Sequence, residues 1–294
     1  MNSVTYTILT LLKKTSGHLS GTQIGKDLHI SRSAVWKHIS LLREQGYDIE
    51  SVPRRGHLLR AAADAPWAEE VSPLLKTGSF GKDIVYRERV DSTNAVAAAM
   101  AAEGGAEGTV VVADSQSAGR GRLQRKWLSP NLGNLYFSII LRPPTSPERV
   151  SQIGLVAAAA LHRALTGECP GLQAGIKWPN DILAGDRKLA GILCEAKSEA
   201  DIIHYAVVGI GINVNARSFP KELGGTATSI RRETGSDCDR PRLLAAVLNA
   251  FEEDYRLWLA APDLTPLLPY LEKHSLLAGK SVAVDGIDRR RAGK

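Results

Sequence analysis

Between Thr22 and Leu42 the apolar residues fall into two short groups with helical spacing, separated by a tight break. Ile24 and Leu28 lie one turn apart, Ser31 stands where an N-cap belongs, and Val35, Ile39 and Leu42 form a second stripe. Two short helices joined by so brief a turn make a helix-turn-helix unit, expected over about residues 21–40. Upstream, Ile8, Leu9, Leu11 and Leu12 predict a further helix that stops near Gly17. After Gly46 the period changes from helix to strand. Tyr47 to Val52 alternates, Pro53-Arg54-Arg55-Gly56 turns the chain, and His57-Leu58-Leu59 returns. Residues 1–63 therefore read as a winged helix-turn-helix domain.

Charge gives that segment a partner. The chain carries 37 Lys and Arg against 31 Asp and Glu, a formal net charge of +6, and nearly all of the excess lies in the first sixty residues. Four of the seven histidines lie there too. Charge alone fits a solvated basic face as well as a nucleic-acid-binding end. The second helix tips the balance, because it presents Ser31, Arg32, Ser33, Trp36 and Lys37 outward. The N-terminal residues of such a helix reach base edges while basic side chains fix phosphates. Arg54 and Arg55, at the wing tip, suit a phosphate or minor-groove contact, or simple turn solubility.

Other classes are excluded or disfavoured. The longest apolar or glycine run, Ile153 to Leu161, falls far short of the roughly 20 residues that span a bilayer. Met1 to Leu12 has neither the early positive charge nor the cleavage site of a secretory signal. Cys169, Cys194 and Cys238 are scattered, at neither disulfide-framework nor metal spacing, and Cys194 reads as a packed strand residue. A cytoplasmic location is expected, with no membrane partner.

Ala61 to Pro66 is a small-residue connector to a second domain, expected over residues 75–274. Strands are predicted at Ile84–Val90, Thr109–Ala113 and Leu135–Leu141, and near residues 174–178, 189–196 and 203–210. Helices are predicted from Asp91-Ser92-Thr93-Asn94 to about Glu103, from Val150 to Leu165, from Arg242 to Leu259 and from Leu267 to His274. Strands outnumber crossover helices, so the fold class is α+β with a mixed sheet.

Chemistry concentrates at strand ends. Gly119-Arg120-Gly121-Arg122 combines backbone freedom with guanidinium forks, the makings of an anion nest, although it lacks the P-loop ending. Lys177-Trp178-Pro179-Asn180-Asp181 puts a cation, an amide and a carboxylate within five residues. Lys188 opens an apolar strand, where an unpaired buried ammonium would be costly. Gly209-Ile210-Gly211-Ile212-Asn213 places glycines on a strand, as close approach of a ligand or tight sheet packing both require.

Taken in order, Asp91-Ser92-Thr93-Asn94, Gln116 with Gly119 to Arg122, Arg125-Lys126-Trp127, Lys177 to Asp181, Lys188-Leu189-Ala190-Gly191-Ile192 and Gly209 to Asn213 closely resemble the biotin–protein ligases. The N-terminal winged helix points to the bifunctional class that also represses the biotin operon. This resemblance implies a central domain like that of class II aminoacyl-tRNA synthetases. It also implies the formation of biotinyl-5′-adenylate from biotin and ATP, with Mg²⁺, and transfer of biotin to a lysine of the biotin carboxyl carrier protein of acetyl-CoA carboxylase.

By the same resemblance, Ser92, Thr93, Asn94 and Gln116 line the biotin site. Arg120 and Arg122, with the backbone of Gly119 and Gly121, fold over the carboxylate and phosphate. Lys188 is the main electrostatic catalyst, while Arg125, Trp127 and Asn213 hold the adenylate and Gly191 and Gly209 leave room for the ligand. Asn180 and Asp181 suit Mg²⁺–phosphate positioning, with Asp181 also accepting a proton from the acceptor lysine. Plain structural readings stand beside these: Trp127 and Trp178 as core aromatics, Asp91 as a helix cap. The adenylate is expected to promote homodimerisation on operator DNA. Residues 275–294 are expected to begin an SH3-like β-barrel, with Gly279 to Asp285 its first strand and the remainder cut short at Lys294. A non-catalytic biotin-sensing transcription factor is the competing reading. A lipoate or octanoyl transferase sits poorly with the Gly-Arg-Gly-Arg loop.

Overall fold

A computed structural model describes residues 3–199 and 201–281. The chain forms two compact units, one ending at Ala65 and the other starting at Pro66.

In the first unit, α1 (Ser3–Lys14), α2 (Gly21–Asp27) and α3 (Arg32–Glu44) precede a hairpin of β1 (Asp48–Val52) and β2 (Gly56–Ala61). The expected stripes are its core: Ile8, Leu9 and Leu12, then Ile24, then Val35, Ile39 and Leu42 are buried. Two serine caps set the helix starts. Ser20 accepts from the Thr22 N–H and Ser31 from the Ala34 N–H, satisfying donors that the first turns leave open. The hairpin also pairs with Leu19 through its bonds to His57. Gly56, at φ +111°, permits this, because a Cβ there would overlap the Leu19 carbonyl.

The second unit opens with α4 (Ala68–Val71), β3 (Ile84–Val90), α5 (Thr93–Ala102), β4 (Val110–Gln116) and β5 (Leu135–Leu141). Next come α6 (Pro147–Val150), α7 (Ile153–Glu168), β6 (Gly175–Lys177), β7 (Asp181–Ala184), β8 (Arg187–Glu199) and β9 (Ile202–Ile212). It ends with α8 (Ile230–Thr234), α9 (Arg240–Ala260) and α10 (Leu268–Lys273). The seven strands form one mixed sheet in the order β3-β4-β5-β9-β8-β7-β6, in which only β3 and β4 run parallel.

The sheet is covered on both faces. Helices α7 and α9 enclose the larger core, where Phe137, Ile139, Val156, Leu161, Ile210, Leu248 and Phe251 meet. On the other face Ala97 and Ala101 of α5 pack on Val111, Ile140 and Val207. Strand β5 is consequently buried along its whole length. Its alternation divides labour: Phe137 and Ile139 serve the larger core, while Ser138 reaches the start of α5.

Three expectations need correction. The helix expected from Val150 to Leu165 is two helices, α6 and α7, divided at Ser151 and Gln152. Strand β4 continues past Ala113 through Asp114 and Ser115, because pairing with β3 outweighs their polarity. The segment near 174–178 is half of a hairpin, turned at Pro179 and Asn180 and continued by β7, which the sequence reading lacked. From residue 282 onward, most of the expected barrel strand lies outside the described residues. Among the described residues no helix is long and apolar enough to cross a membrane.

Candidate active site

In the second unit, the start of α5 and the ends of β4, β7, β8 and β9 border a cavity of about 680 Å³. Its remaining walls are the loop at 120–130 and a segment at 219–227. The sequence-selected residues converge here. Ser92, Thr93, Asn94, Gln116, Arg120, Gly121, Arg122, Arg125, Trp127, Asn180, Asp181, Lys188, Gly191, Gly209 and Asn213 all line the cavity. Gly119 does not; it lies behind the loop, where a Cβ would sit 2.7 Å from Ser129 Oγ.

The floor is a closed polar network. Ser92, Thr93 and Asn94 are buried at the start of α5. Gln116 Oε1 accepts from the Thr93 N–H at 2.8 Å, and Gln116 Nε2 donates to Ser129 Oγ at 2.8 Å. The Ser138 hydroxyl donates to Asn94 Oδ1 at 2.6 Å. Asp91 is neither cap nor lining: its carboxylate accepts from the Ser117 hydroxyl at 2.6 Å. Ser92 holds the N-cap position without a side-chain capping bond.

The charged wall centres on Lys188. Its Nζ lies 2.7 Å from Asp181 Oδ1 and 5.1 Å from the Trp127 ring centroid. The side chain is 35 % exposed, so the expectation of a buried ammonium is corrected to a partly open, paired one. A bulge at Ile182 and Leu183 offsets the β7–β8 register near this pair. The segment beyond the cavity clamps β8, since Lys188 N–H donates to Thr226 O and Lys188 O accepts from Thr228 N–H.

The arginine loop has its own backbone ladder, with Gln116 bonded to Ser129 and Gly121 to Arg125, so it is more than a plain connector. At its turn Leu123 and Gln124 both take left-handed φ values, +54° and +56°, and Leu123 is 84 % exposed. Arg122 reaches Asn180 Oδ1 at 3.4 Å, and Arg120 Nη1 lies 3.3 Å from Glu195.

Trp127 is a cavity wall rather than a core aromatic. It stands over Gly191 and Gly211, where added Cβ atoms would come within 2.9 Å and 2.6 Å of its ring. A Cβ at Gly209 would overlap the Asn94 amide. These glycines therefore make room for Trp127 and Asn94, and for the ligand only through them. Trp178, also weighed as a core aromatic, is well exposed. Burial, then the neighbouring Glu195, pushes the Cys194 thiol up to about 12, consistent with a packed residue rather than a nucleophile.

Ser138, Glu195 and the 219–227 segment escaped the sequence reading. Ser138 alone carried a clear signal, as a lone hydroxyl in an otherwise apolar strand.

In the first unit, Arg32, Ser33, Trp36 and Lys37 lie exposed along α3, with Trp36 60 % exposed, and Arg54 and Arg55 are exposed at the hairpin turn. Ser31 is exposed too, but its oxygen is engaged as the helix cap. Arg54 adopts φ +64°.

Comparison with known proteins agrees with both units. Residues 86–213 match the biotin/lipoate A/B protein ligase family, and residues 5–58 match an HTH domain. The bifunctional ligase/repressor BirA of Bacillus spizizenii is 37 % identical over 281 residues, covering 95 % of this chain and 86 % of the relative. The bifunctional ligase/repressor BirA of Escherichia coli is 32 % identical, covering 92 % of this chain and 81 % of its own. The biotin protein ligase from Aquifex aeolicus in complex with biotin and ATP superposes with a TM-score of 0.59 at 34 % identity, covering 66 % of this chain and 79 % of that one. On these grounds the chain belongs to the biotin protein ligases, and within them to the bifunctional ligase/repressors.

Proposed function

We propose that the protein joins biotin to ATP to form biotinyl-5′-adenylate, passes the biotinyl group to a lysine of a biotin carboxyl carrier protein, and represses transcription in response to biotin. The observation that carries the reading is one cavity with an uncharged, hydrogen-bonded floor of Thr93, Asn94 and Gln116 and a cationic wall, in a chain that also bears an exposed basic helix. The floor suits the uncharged ureido ring. The wall answers the difficulty of the chemistry, because the biotin carboxylate must approach the α-phosphate, anion against anion. At about 4 Å and an effective dielectric near 20, that repulsion is about 4 kcal/mol. Lys188, Arg120 and Arg122 offset it, and Lys188 is already held by Asp181 in the ligand-free site, the preorganisation that electrostatic catalysis uses.

Trp127, with Arg125 and Asn213, would hold the adenylate, and its buried indole N–H lacks a partner among the described residues. Asp181 and Asn180 present hard oxygen donors beside the cationic wall. Such a set fits Mg²⁺ carried in on ATP phosphates, where the ion would neutralise phosphate charge. Asp181, paired with Lys188 at 2.7 Å, would also take a proton from the acceptor lysine once the substrate phosphate competes for Lys188. The adenylate would order the arginine loop and favour a homodimer, matching two recognition helices to a palindromic operator. ATP, the carrier protein and operator DNA would be met together in the cytoplasm, the location this reading implies.

Purified protein given biotin, ATP and Mg²⁺ should release pyrophosphate and label a carrier domain. Absence of both products would refute the enzymatic half, and equal dimer fractions by sedimentation with and without biotin and ATP would refute the dimer. A non-catalytic sensor would have no use for the Lys188–Asp181 pair.

A further inference from the structure

Glu195, on β8, touches the floor of the cavity with one carboxylate oxygen and the arginine loop with the other. Oε2 accepts from Asn94 Nδ2 at 2.7 Å, and Oε1 lies 3.3 Å from Arg120 Nη1. The second N–H of Asn94 points to Leu193 O at 3.4 Å, so both of its donors face protein acceptors. Asn94 Oδ1 already accepts from Ser138, which leaves one lone pair as the unused capacity of the amide. Ser138 cannot decide this orientation by itself, because a hydroxyl serves an amide oxygen or an amide nitrogen equally well. A carboxylate only accepts.

We infer that Glu195 is a positioning residue that fixes the Asn94 amide with its oxygen turned to the ligand, so that this position of the floor selects an N–H donor. The inference rests on the biotin reading, and assigns Asn94 to an N–H of the ureido ring rather than its carbonyl. The same carboxylate tethers Arg120 until a ligand carboxylate or phosphate competes for the guanidinium. The Arg120 tether is half exposed and correspondingly weak.

Two variants separate the functions. In Glu195→Gln the side-chain oxygen still accepts from Asn94, but the charge facing Arg120 is gone. Glu195→Leu removes both. Calorimetric titration with biotin should give Glu195→Gln an affinity within about threefold of wild type. Glu195→Leu should lose about tenfold or more, the scale of a hydrogen bond to a charged group. Limited trypsin digestion of the ligand-free protein, at Arg120, Arg122, Arg125 and Lys126, should quicken in both variants by no more than about fivefold, the ceiling for such a pair. Equal biotin losses in the two variants, or a Glu195→Leu protein binding biotin as wild type does, would overturn the assignment. If the wild type binds no biotin, the ligase reading fails as well, which distinguishes the two failures.

Discussion

Replacing Gly209 by alanine should damage the ligase unit more than any comparable change at the cavity. The new Cβ would lie 2.8 Å from Asn94 Cγ and closer still to its oxygen. Carbon contacts settle at about 3.5–4.0 Å, so Asn94 must retreat by on the order of 1 Å. It has no slack, since the amide is held at 2.6 Å by buried Ser138 and at 2.7 Å by Glu195. Strand β9 cannot yield either, being paired with β5 on one side and β8 on the other. Overpacking of this kind costs about 1–3 kcal/mol. Breaking the Ser138–Asn94 bond adds about 0.5–1.5 kcal/mol, since the Ser138 hydroxyl keeps Thr93 Oγ1 at 2.8 Å as its partner. A loss near 3 kcal/mol corresponds to a fall in melting temperature of about 6–12 °C for a unit of this size. Biotin affinity should fall more than tenfold with it. Gly211→Ala is the control: its nearest atoms belong to the Trp127 ring, which stands on the arginine loop rather than in the sheet, so its stability loss should be clearly smaller. Calorimetric melts and biotin titration read both. If Gly209→Ala melts within about 2 °C of the parent, or if Gly211→Ala is equally damaging, collision with Asn94 is not what keeps residue 209 small.

Lys188→Ala should lower adenylate synthesis by at least a hundredfold while leaving biotin binding within severalfold; single-turnover pyrophosphate release checks this. Arg54→Gly should relieve a left-handed residue, raising the stability of the first unit by about 1 kcal/mol in urea melts. The same change should reduce the slope of log affinity for operator DNA against log salt by about one, if Arg54 neutralises a phosphate. His162 is buried, donating through Nε2 to Ala174 O and accepting at Nδ1 from the Tyr270 hydroxyl, and burial holds its pKa below the usual 6.5. A depressed folded pKa means that the unfolded chain binds the proton more readily, so this contribution is intact above 6.5 and is lost as pH falls below it. His162→Gln should therefore flatten the dependence of melting temperature on pH below about 6.5.

The wing and the helix-turn-helix were legible because each local signal stood near its partner in the chain: Ser31 beside the helix it caps, Gly56 at the turn it closes. The cavity lining was legible for another reason. Its members occupy the starts and ends of strands, where polar residues interrupt apolar runs. What stayed hidden was what depends on register. Glu195 reads as an ordinary surface acid until β8 lies beside β9, across which Asn94 reaches it. Gly211 differs from Gly209 only through which side chain each admits. The division between α6 and α7 was missed because Ser151 and Gln152 are only two polar residues between apolar Val150 and Ile153, with no glycine or proline to mark a break.

Leu123 and Gln124 give the arginine loop an asymmetry in time. Two consecutive left-handed residues without glycine cost on the order of 1–2 kcal/mol each, and this is their conformation in the ligand-free protein. A ligand that lets the turn relax recovers that free energy as affinity, and each 1.4 kcal/mol recovered slows its departure by up to about tenfold. A turn that the adenylate relaxed would act as a wound spring: cheap to release once the adenylate is made, costly to rewind when it leaves. An intermediate that must wait for its carrier protein is well served by such a clasp.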